Sequence, residues 1–160
     1  MSRIITVKRI LNIANRTYPR QGLFKAKYKN DIYFLDEYKE DIDYYENTPL
    51  EVICFDGKHD LTWGFFTVEG IDYLLPRILV SIQTELDDLP VIIEDFIVNM
   101  TLDVGIKQLV RNLPISDLLI IQEILENILF GKNIKAISLI GEHYLFLNLE
   151  YIENILNNKR

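Results

Sequence analysis

Apolar residues recur at intervals of three and four along most of this chain, which is the spacing of amphipathic helices. In residues 3–15 this pattern predicts a first helix with its basic side chains facing outward. Pro19 and Gly22 then predict a break, because proline disfavours helical backbone in the preceding residue and glycine permits turns. Residues 16–30 are therefore expected to form a loop or a short extended segment.

The next segment has a less regular pattern. Residues 32–46 carry a helical stripe of apolar side chains after a short extended start. Thr48 and Pro49 are typical of a helix beginning, with a capping residue followed by proline at the first helical position. Residues 51–55 are rich in β-branched and aromatic side chains, so a strand is an alternative there.

The second half of the chain has clearer helix signals. Thr67 is a typical capping residue, and the apolar face that follows predicts a helix, which Pro76 should kink or split. Further helices are expected from Pro90 to Val104, from a cap at Ser116 and Asp117 to a stop at Gly131, over residues 134–140, and over residues 144–156 after a break at Gly141. No internal repeat or Gly/Ser-rich linker interrupts them. The prediction is a mainly α-helical, compact multi-helix single domain spanning residues 1–160, in which residues 23–56 could also form a short strand pair.

Cysteine content and hydropathy indicate the compartment. Cys54 is the only cysteine in the sequence, so no disulfide within the chain is expected, which fits a reducing cytoplasm. Lys8 and Arg9 interrupt the apolar residues near the start, so no signal peptide is predicted. Apolar stretches also fall short of the roughly 20 residues that span a bilayer. We therefore expect a soluble, cytoplasmic protein without a membrane partner.

Charge is strongly segregated along the front of the chain. Residues 1–30 contain eight basic side chains and no acidic one, whereas residues 31–60 contain ten acidic and two basic side chains. Residues 31–160 as a whole carry nine basic against 24 acidic side chains, a net charge of −15. Such a surface repels nucleic acid and attracts a basic protein.

The acidic block also carries tyrosines, which supply rigid contact area at protein interfaces. Carboxylates in the same stretch would steer a basic partner and fix its register. The alternative is that the tyrosines belong to the core and the acids pair with the basic residues of 1–30, since exposed ion pairs are common and weak. The predicted partner-binding residues are Glu37, Glu40, Asp41, Asp43, Tyr44, Tyr45 and Glu46.

Candidate catalytic chemistry is sparse. Cys54 and His59 suggest a nucleophile and its base, but no oxyanion loop surrounds them, and a buried structural thiol near a surface histidine is the alternative. Asp56, His59 and Asp60 are suitable metal ligands, yet their spacing is not diagnostic. Glycine-rich phosphate loops are absent from the sequence. The sequence therefore predicts no cofactor and no metal site, and it leaves a small hydrolase-like enzyme using carboxylates or Cys54 and His59 as an alternative function.

Residues 16–29 present a third possibility. Cations alternate there with aromatic residues, as in sites that bind single-stranded nucleic acid by stacking and charge. The net charge of −15 over residues 31–160 argues against such a role. Nucleic-acid binding through residues 16–29 is thus the second alternative.

One stretch resembles a known pattern. Phe66-Thr67-Val68-Glu69-Gly70, followed by Tyr73 and by Leu75-Pro76, is similar to a Phe-Thr/Ser-x-Glu-Gly/Ala…aromatic-Leu-Pro motif in a family of small uncharacterised bacterial proteins, a domain of unknown function. Val68 stands where that pattern has proline. The resemblance implies a mostly helical fold and a bacterial origin, and it implies no activity. Thr67 and Glu69 are typical helix-capping residues, so the motif is expected to specify structure.

These observations favour a non-enzymatic protein-binding module. Its acidic, tyrosine-bearing face suits an inhibitor or an immunity-type protein whose partner is basic. Neither the identity of the partner nor the oligomeric state is specified by any sequence feature.

Overall fold

The described chain is built from α-helices joined by short turns. The computed structural model describes residues 16–131 and 133–160, so the predicted helix over residues 3–15 lies outside the described residues. In the described part, the α-helices are α1 (Ala26–Lys29), α2 (Ile32–Glu37), α3 (Lys39–Asn47), α4 (Val68–Thr84), α5 (Val91–Val98), α6 (Val104–Asn112), α7 (Ile115–Phe130), α8 (Ile134–Ile140) and α9 (Glu142–Lys159). Short 3₁₀ turns cover Trp63–Phe65 and Leu86–Asp88. The mainly α-helical prediction is confirmed.

The strand pair considered for residues 23–56 does not form. Phe24 makes one isolated antiparallel bridge, and its partner is Phe66, beyond that range. The backbone of the other candidate strand is satisfied by side chains instead: the Cys54 N–H donates to the Tyr44 hydroxyl at 2.9 Å, and Arg77 Nε donates to the Ile53 carbonyl at 2.8 Å. The Cys54 N–H and the Ile53 carbonyl are therefore not available to a strand ladder.

The helical stripe over residues 32–46 is divided between two helices. The Asp31 side chain accepts hydrogen bonds from the backbone N–H groups of residues 33 and 34, so helical structure begins at Ile32 and not after an extended start. Tyr38 interrupts the run with φ of −108° and ψ of 22°. After α3, Pro49 supports a single turn, in which the Val52 N–H donates to the Pro49 carbonyl at 2.9 Å. The predicted helix beginning there continues no further.

The amino end of α4 is fixed to the segment that precedes α1. Thr67 Oγ1 accepts the Gly70 N–H at 2.9 Å, as expected of a capping residue, and lies 3.1 Å from the Gly22 carbonyl. The Thr67 N–H also donates to the Leu23 carbonyl at 2.8 Å. Gly70 approaches this carbonyl closely, and a Cβ atom at Gly70 would lie 2.5 Å from it. The stretch that resembles the bacterial motif therefore holds two segments of the fold together.

Pro76 lies inside α4, which runs without interruption from Val68 to Thr84. Proline lacks the N–H that would bond to the carbonyl four residues earlier, here that of Asp72. Arg16 Nε donates to this carbonyl at 2.9 Å, and Arg16 Nη2 lies 2.8 Å from Asp117 Oδ2 on α7. One guanidinium group thus replaces the missing backbone donor and joins α4 to α7. Burial raises the pKa of Asp72, although the nearby Arg16 charge acts in the opposite direction.

Two predicted boundaries in the second half were wrong. The helix opened by Pro90 ends at Val98, and α6 begins after Asp103, whose side chain accepts the Ile106 N–H at 2.9 Å. Helix α7 begins after Pro114, so Ser116 and Asp117 lie in its first turn and do not cap it. Its end at Gly131 and the separation of α8 from α9 at Gly141, with φ of 97°, are as predicted.

The buried side chains form one continuous hydrophobic core, in which α9 packs against α5, α7 and α8. Trp63 is buried in this core, and its indole N–H donates to the Ile92 carbonyl at 2.8 Å. Within residues 16–131 and 133–160, no helix combines the length and the apolar character needed to cross a bilayer.

Candidate interaction surface

A groove of about 650 Å³ runs along α2 and α3, where the sequence predicts the partner-binding face. Its apolar lining comes from Ile32, Leu35 and Ile42. Ile32 is 74% exposed at the first position of α2. The groove therefore has an uncovered apolar part.

Four carboxylates and one cation complete the lining of this groove. The carboxylates are Asp36, Glu40, Asp43 and Glu46, and the cation is Lys39. Asp36 lies on α2 and the other four residues lie on α3, so both helices contribute charge to the groove. The groove is thus an apolar stripe bordered by negative charge.

The predicted residues Glu37, Glu40 and Asp43 are exposed. Asp43 accepts a hydrogen bond from Asn47 Nδ2 at 2.7 Å, one turn further along the same helix. Glu40 and Asp43 also line the groove, whereas Glu37 lies outside its lining. Two members of the predicted set are therefore exposed and groove-lining.

Tyr45 belongs to the core and not to the predicted surface. It is only 2% exposed, its ring packs against Phe24 and Phe66, and its hydroxyl donates to the His59 carbonyl at 2.8 Å. Burial raises the pKa of Tyr45 above the usual tyrosine range, and the negative charge of Asp60 adds to the effect. For this residue the alternative interpretation, a core tyrosine, is the correct one.

Asp41 and Tyr44 hold the loop that contains His59. His59 Nδ1 lies 2.9 Å from Asp41 Oδ1, and the Tyr44 ring stacks on the imidazole with centroids 4.4 Å apart. Tyr44 also accepts the Cys54 backbone N–H, and burial raises the pKa of its hydroxyl. The polar atoms of both side chains are therefore engaged in contacts within the protein.

The two charge blocks neutralise each other only in part among the described residues. Lys29 Nζ lies 2.6 Å from Glu46 Oε1, which joins the basic block to the acidic one. Arg16 pairs instead with Asp72 and Asp117, beyond the acidic block. The pairing alternative thus holds for Glu46, while the groove keeps three other carboxylates.

Catalysis by Cys54 and His59 gains no support from their contacts. Cys54 is exposed, so the buried structural thiol proposed as the alternative is wrong. Its thiol lies 3.7 Å from the Tyr44 hydroxyl, and the imidazole of His59 contacts Asp41 and Tyr44. No hydrogen bond joins thiol to imidazole in the described part of the chain. That part also contains no group of three potential ligands placed to hold a metal ion.

A second acidic depression, of about 550 Å³, lies between the 56–60 loop and the turn after α4. Its carboxylates are Asp56, Asp60, Glu85, Asp87 and Asp88. Burial and the charge of Asp56 raise the pKa of Asp60. The sequence analysis missed this depression, because its two acidic segments are distant in the chain and only the fold brings them together.

Residues 16–29 contain five cations, two of which are engaged in ion pairs, and two of their aromatic rings pack against the core. Phe24 is buried, and the Tyr28 ring packs 4.8 Å from the ring of Phe65. Arg16 and Lys29 are engaged in the ion pairs described above. Stacking platforms for nucleic-acid bases are therefore reduced in residues 16–29.

No protein-family model, no curated protein and no solved structure matches this chain.

Proposed function

We propose that this protein is a non-enzymatic binding module of the cytoplasm that captures a basic protein partner through the groove on α2 and α3, as an inhibitor or immunity-type protein would. The observation that carries the proposal is the composition of the groove, in which exposed Ile32 and half-buried Leu35 are bordered by four carboxylates and one lysine. Negative charge of this kind accelerates encounter with a cationic protein and selects its orientation. The apolar stripe supplies the contact area that holds the partner once it has arrived.

The exposure of the groove favours a protein over a small molecule as the ligand. Small-molecule sites enclose most of the surface of their ligand. Ile32, Asp36, Glu40 and Asp43 are all exposed, so this groove encloses little. The resemblance of residues 66–76 to a bacterial family supports a bacterial origin and adds no activity to the proposal.

Charge reversal tests this function. The variant Glu40→Lys/Asp43→Lys reverses the charge of two exposed groove-lining side chains, and Glu150→Lys/Glu153→Lys on α9, which also reverses two exposed acids, is the matched control. Immobilised wild-type protein and control should retain the same cationic proteins from a lysate, identified by mass spectrometry and released by raised salt. The groove variant should lose them. Equal retention by all three proteins would rule out this surface.

A further inference from the structure

We infer that the partner segment is an amphipathic cationic helix that lies along α2 and α3, with about one Lys or Arg per turn beside its apolar stripe. This inference rests on the proposed function and specifies the partner. It depends on the order of groups along the groove, whereas the proposed function depends only on their charge.

The repeat of the groove matches a helix. In α3, Glu40, Asp43 and Glu46 follow one another at three-residue intervals, and Asp36 lies on α2, before the interruption at Tyr38. At a rise of about 1.5 Å per residue, these three α3 carboxylates are spaced about 4.5 Å apart along the helix axis. A facing helix with cations at three- and four-residue intervals spaces them about 4.5–6 Å apart, which is close to this series. An extended peptide places same-side residues about 6.6–6.8 Å apart, so its charges drift out of register with the groove.

The backbone of this region has no free sheet edge to which an extended peptide could add. Strand addition requires a free sheet edge, because affinity in that mode comes from main-chain hydrogen bonds. Residues 16–131 and 133–160 contain no strand, and the bridge between Phe24 and Phe66 is isolated. Helical backbone satisfies its own hydrogen bonds, so a partner on α2 and α3 must bind through side chains. A helix laid in the groove does this.

The apolar stripe supplies an anchor position. Ile32 is 74% exposed at the first residue of α2, and Leu35 is half-buried one turn later. A cationic helix with a leucine stripe would cover both, whereas a flexible cationic chain would contact only the carboxylates. The contribution of Ile32 to binding therefore distinguishes a helix from any polycation.

Two peptides test the inference. One of about 18 residues, roughly five turns, has Leu at i, i+3, i+4 and i+7 with flanking Lys, and the other has the same composition in scrambled order. Fluorescence anisotropy with the full chain should give a dissociation constant for the ordered peptide at least about tenfold below that of the scrambled one. Circular dichroism of the mixture should show a gain in helical signal, because the peptide orders on binding.

Matched variants locate the contact. Ile32→Ser should weaken binding of the ordered peptide about three- to tenfold, since the apolar anchor is lost. Val104→Ser on α6, where the side chain is 81% exposed, should leave the dissociation constant unchanged. Glu40→Lys/Asp43→Lys should weaken both peptides and reduce the salt dependence of binding.

Each contrary result overturns a defined statement. Equal affinity for the two peptides, or an Ile32→Ser variant that binds like the wild type, would refute the helical partner. If binding in that case still depended on the groove carboxylates, the proposed function would stand. Binding that survives charge reversal would refute both. Self-association in light scattering that disappears in Glu40→Lys/Asp43→Lys and in Lys25→Glu would assign the groove to a second copy of this chain, and the inference would fall.

Discussion

Replacement of Gly70 by alanine should destabilise the protein, although the same change stabilises most helices. In an open helix, Gly→Ala is favourable by about 1 kcal/mol. Here the added Cβ would lie 2.5 Å from the Leu23 carbonyl oxygen, closer than such atoms approach. That oxygen is a backbone atom and already accepts the Thr67 N–H at 2.8 Å, so it cannot move without losing a hydrogen bond.

The expected loss of stability in Gly70→Ala combines three contributions. Forcing an extra carbon into a packed position costs about 1–3 kcal/mol. The hydrogen bond to Leu23 contributes about 1 kcal/mol, which roughly offsets the helix propensity gained. Gly70→Ala should therefore lower the free energy of unfolding by about 1–3 kcal/mol, or about 2–4 °C in Tm for each kcal/mol.

Urea unfolding followed by Trp63 fluorescence and by circular dichroism gives the free energy, with coincident transitions required. Gly105→Ala in α6 is the control, because the nearest atoms to its Cβ are the Asp103 side chain at 3.2 Å and Val68 at 3.8 Å, and no backbone atom is close. The control should fall within about 0.5 kcal/mol of the wild type or above it. A Gly70→Ala protein as stable as this control would refute the close approach.

Three further predictions concern single side chains. Thr67→Val should cost about 1–2 kcal/mol in urea unfolding because Gly70 loses its cap, while Thr67→Ser should retain most of the stability, and equal losses would contradict a capping role. Burial raises the pKa of Tyr45 above its value in the unfolded chain, so the stability that the neutral hydroxyl contributes is fully present below about pH 10 and is lost as pH rises further. Tyr45→Phe should make the free energy of unfolding less dependent on pH in this range, at a cost of about 1 kcal/mol at neutral pH. Identical alkaline slopes for variant and wild type would contradict the raised pKa. Cys54 should react with a thiol reagent in the native protein within about tenfold of its rate in denaturant, and protection would contradict its exposure.

Features with local causes were predictable from the sequence. Thr67 caps α4 through its own side chain, and Gly141 separates α8 from α9 with a backbone angle that other residues rarely adopt. The break at Tyr38 had no such signal, since no side chain caps α3 there. The cap at Asp103 was missed, because the apolar repeat that continues across it favoured one long helix.

The sequence indicated which segment carries the candidate surface but not which of its residues are free. The acidic stretch pointed to α3, and the helical stripe already placed Tyr45 among the apolar positions. Asp41 contacts His59 and Glu46 contacts Lys29, and these partners are 18 and 17 residues away in the chain. The sequence pattern therefore did not show that the two acids are engaged. The groove is lined by residues of both α2 and α3, and no sequence signal indicated their division at Tyr38.

Pro76 and Arg16 should behave as a pair in any comparison of variants. Proline leaves the Asp72 carbonyl without a helical donor, and Arg16 supplies one at 2.9 Å from a position 56 residues earlier. A chain with alanine at position 76 would regain its own N–H donor and would depend less on Arg16, so the two substitutions should be strongly non-additive. Evolution can therefore change these positions together more easily than singly, and covariation between them is the expected trace.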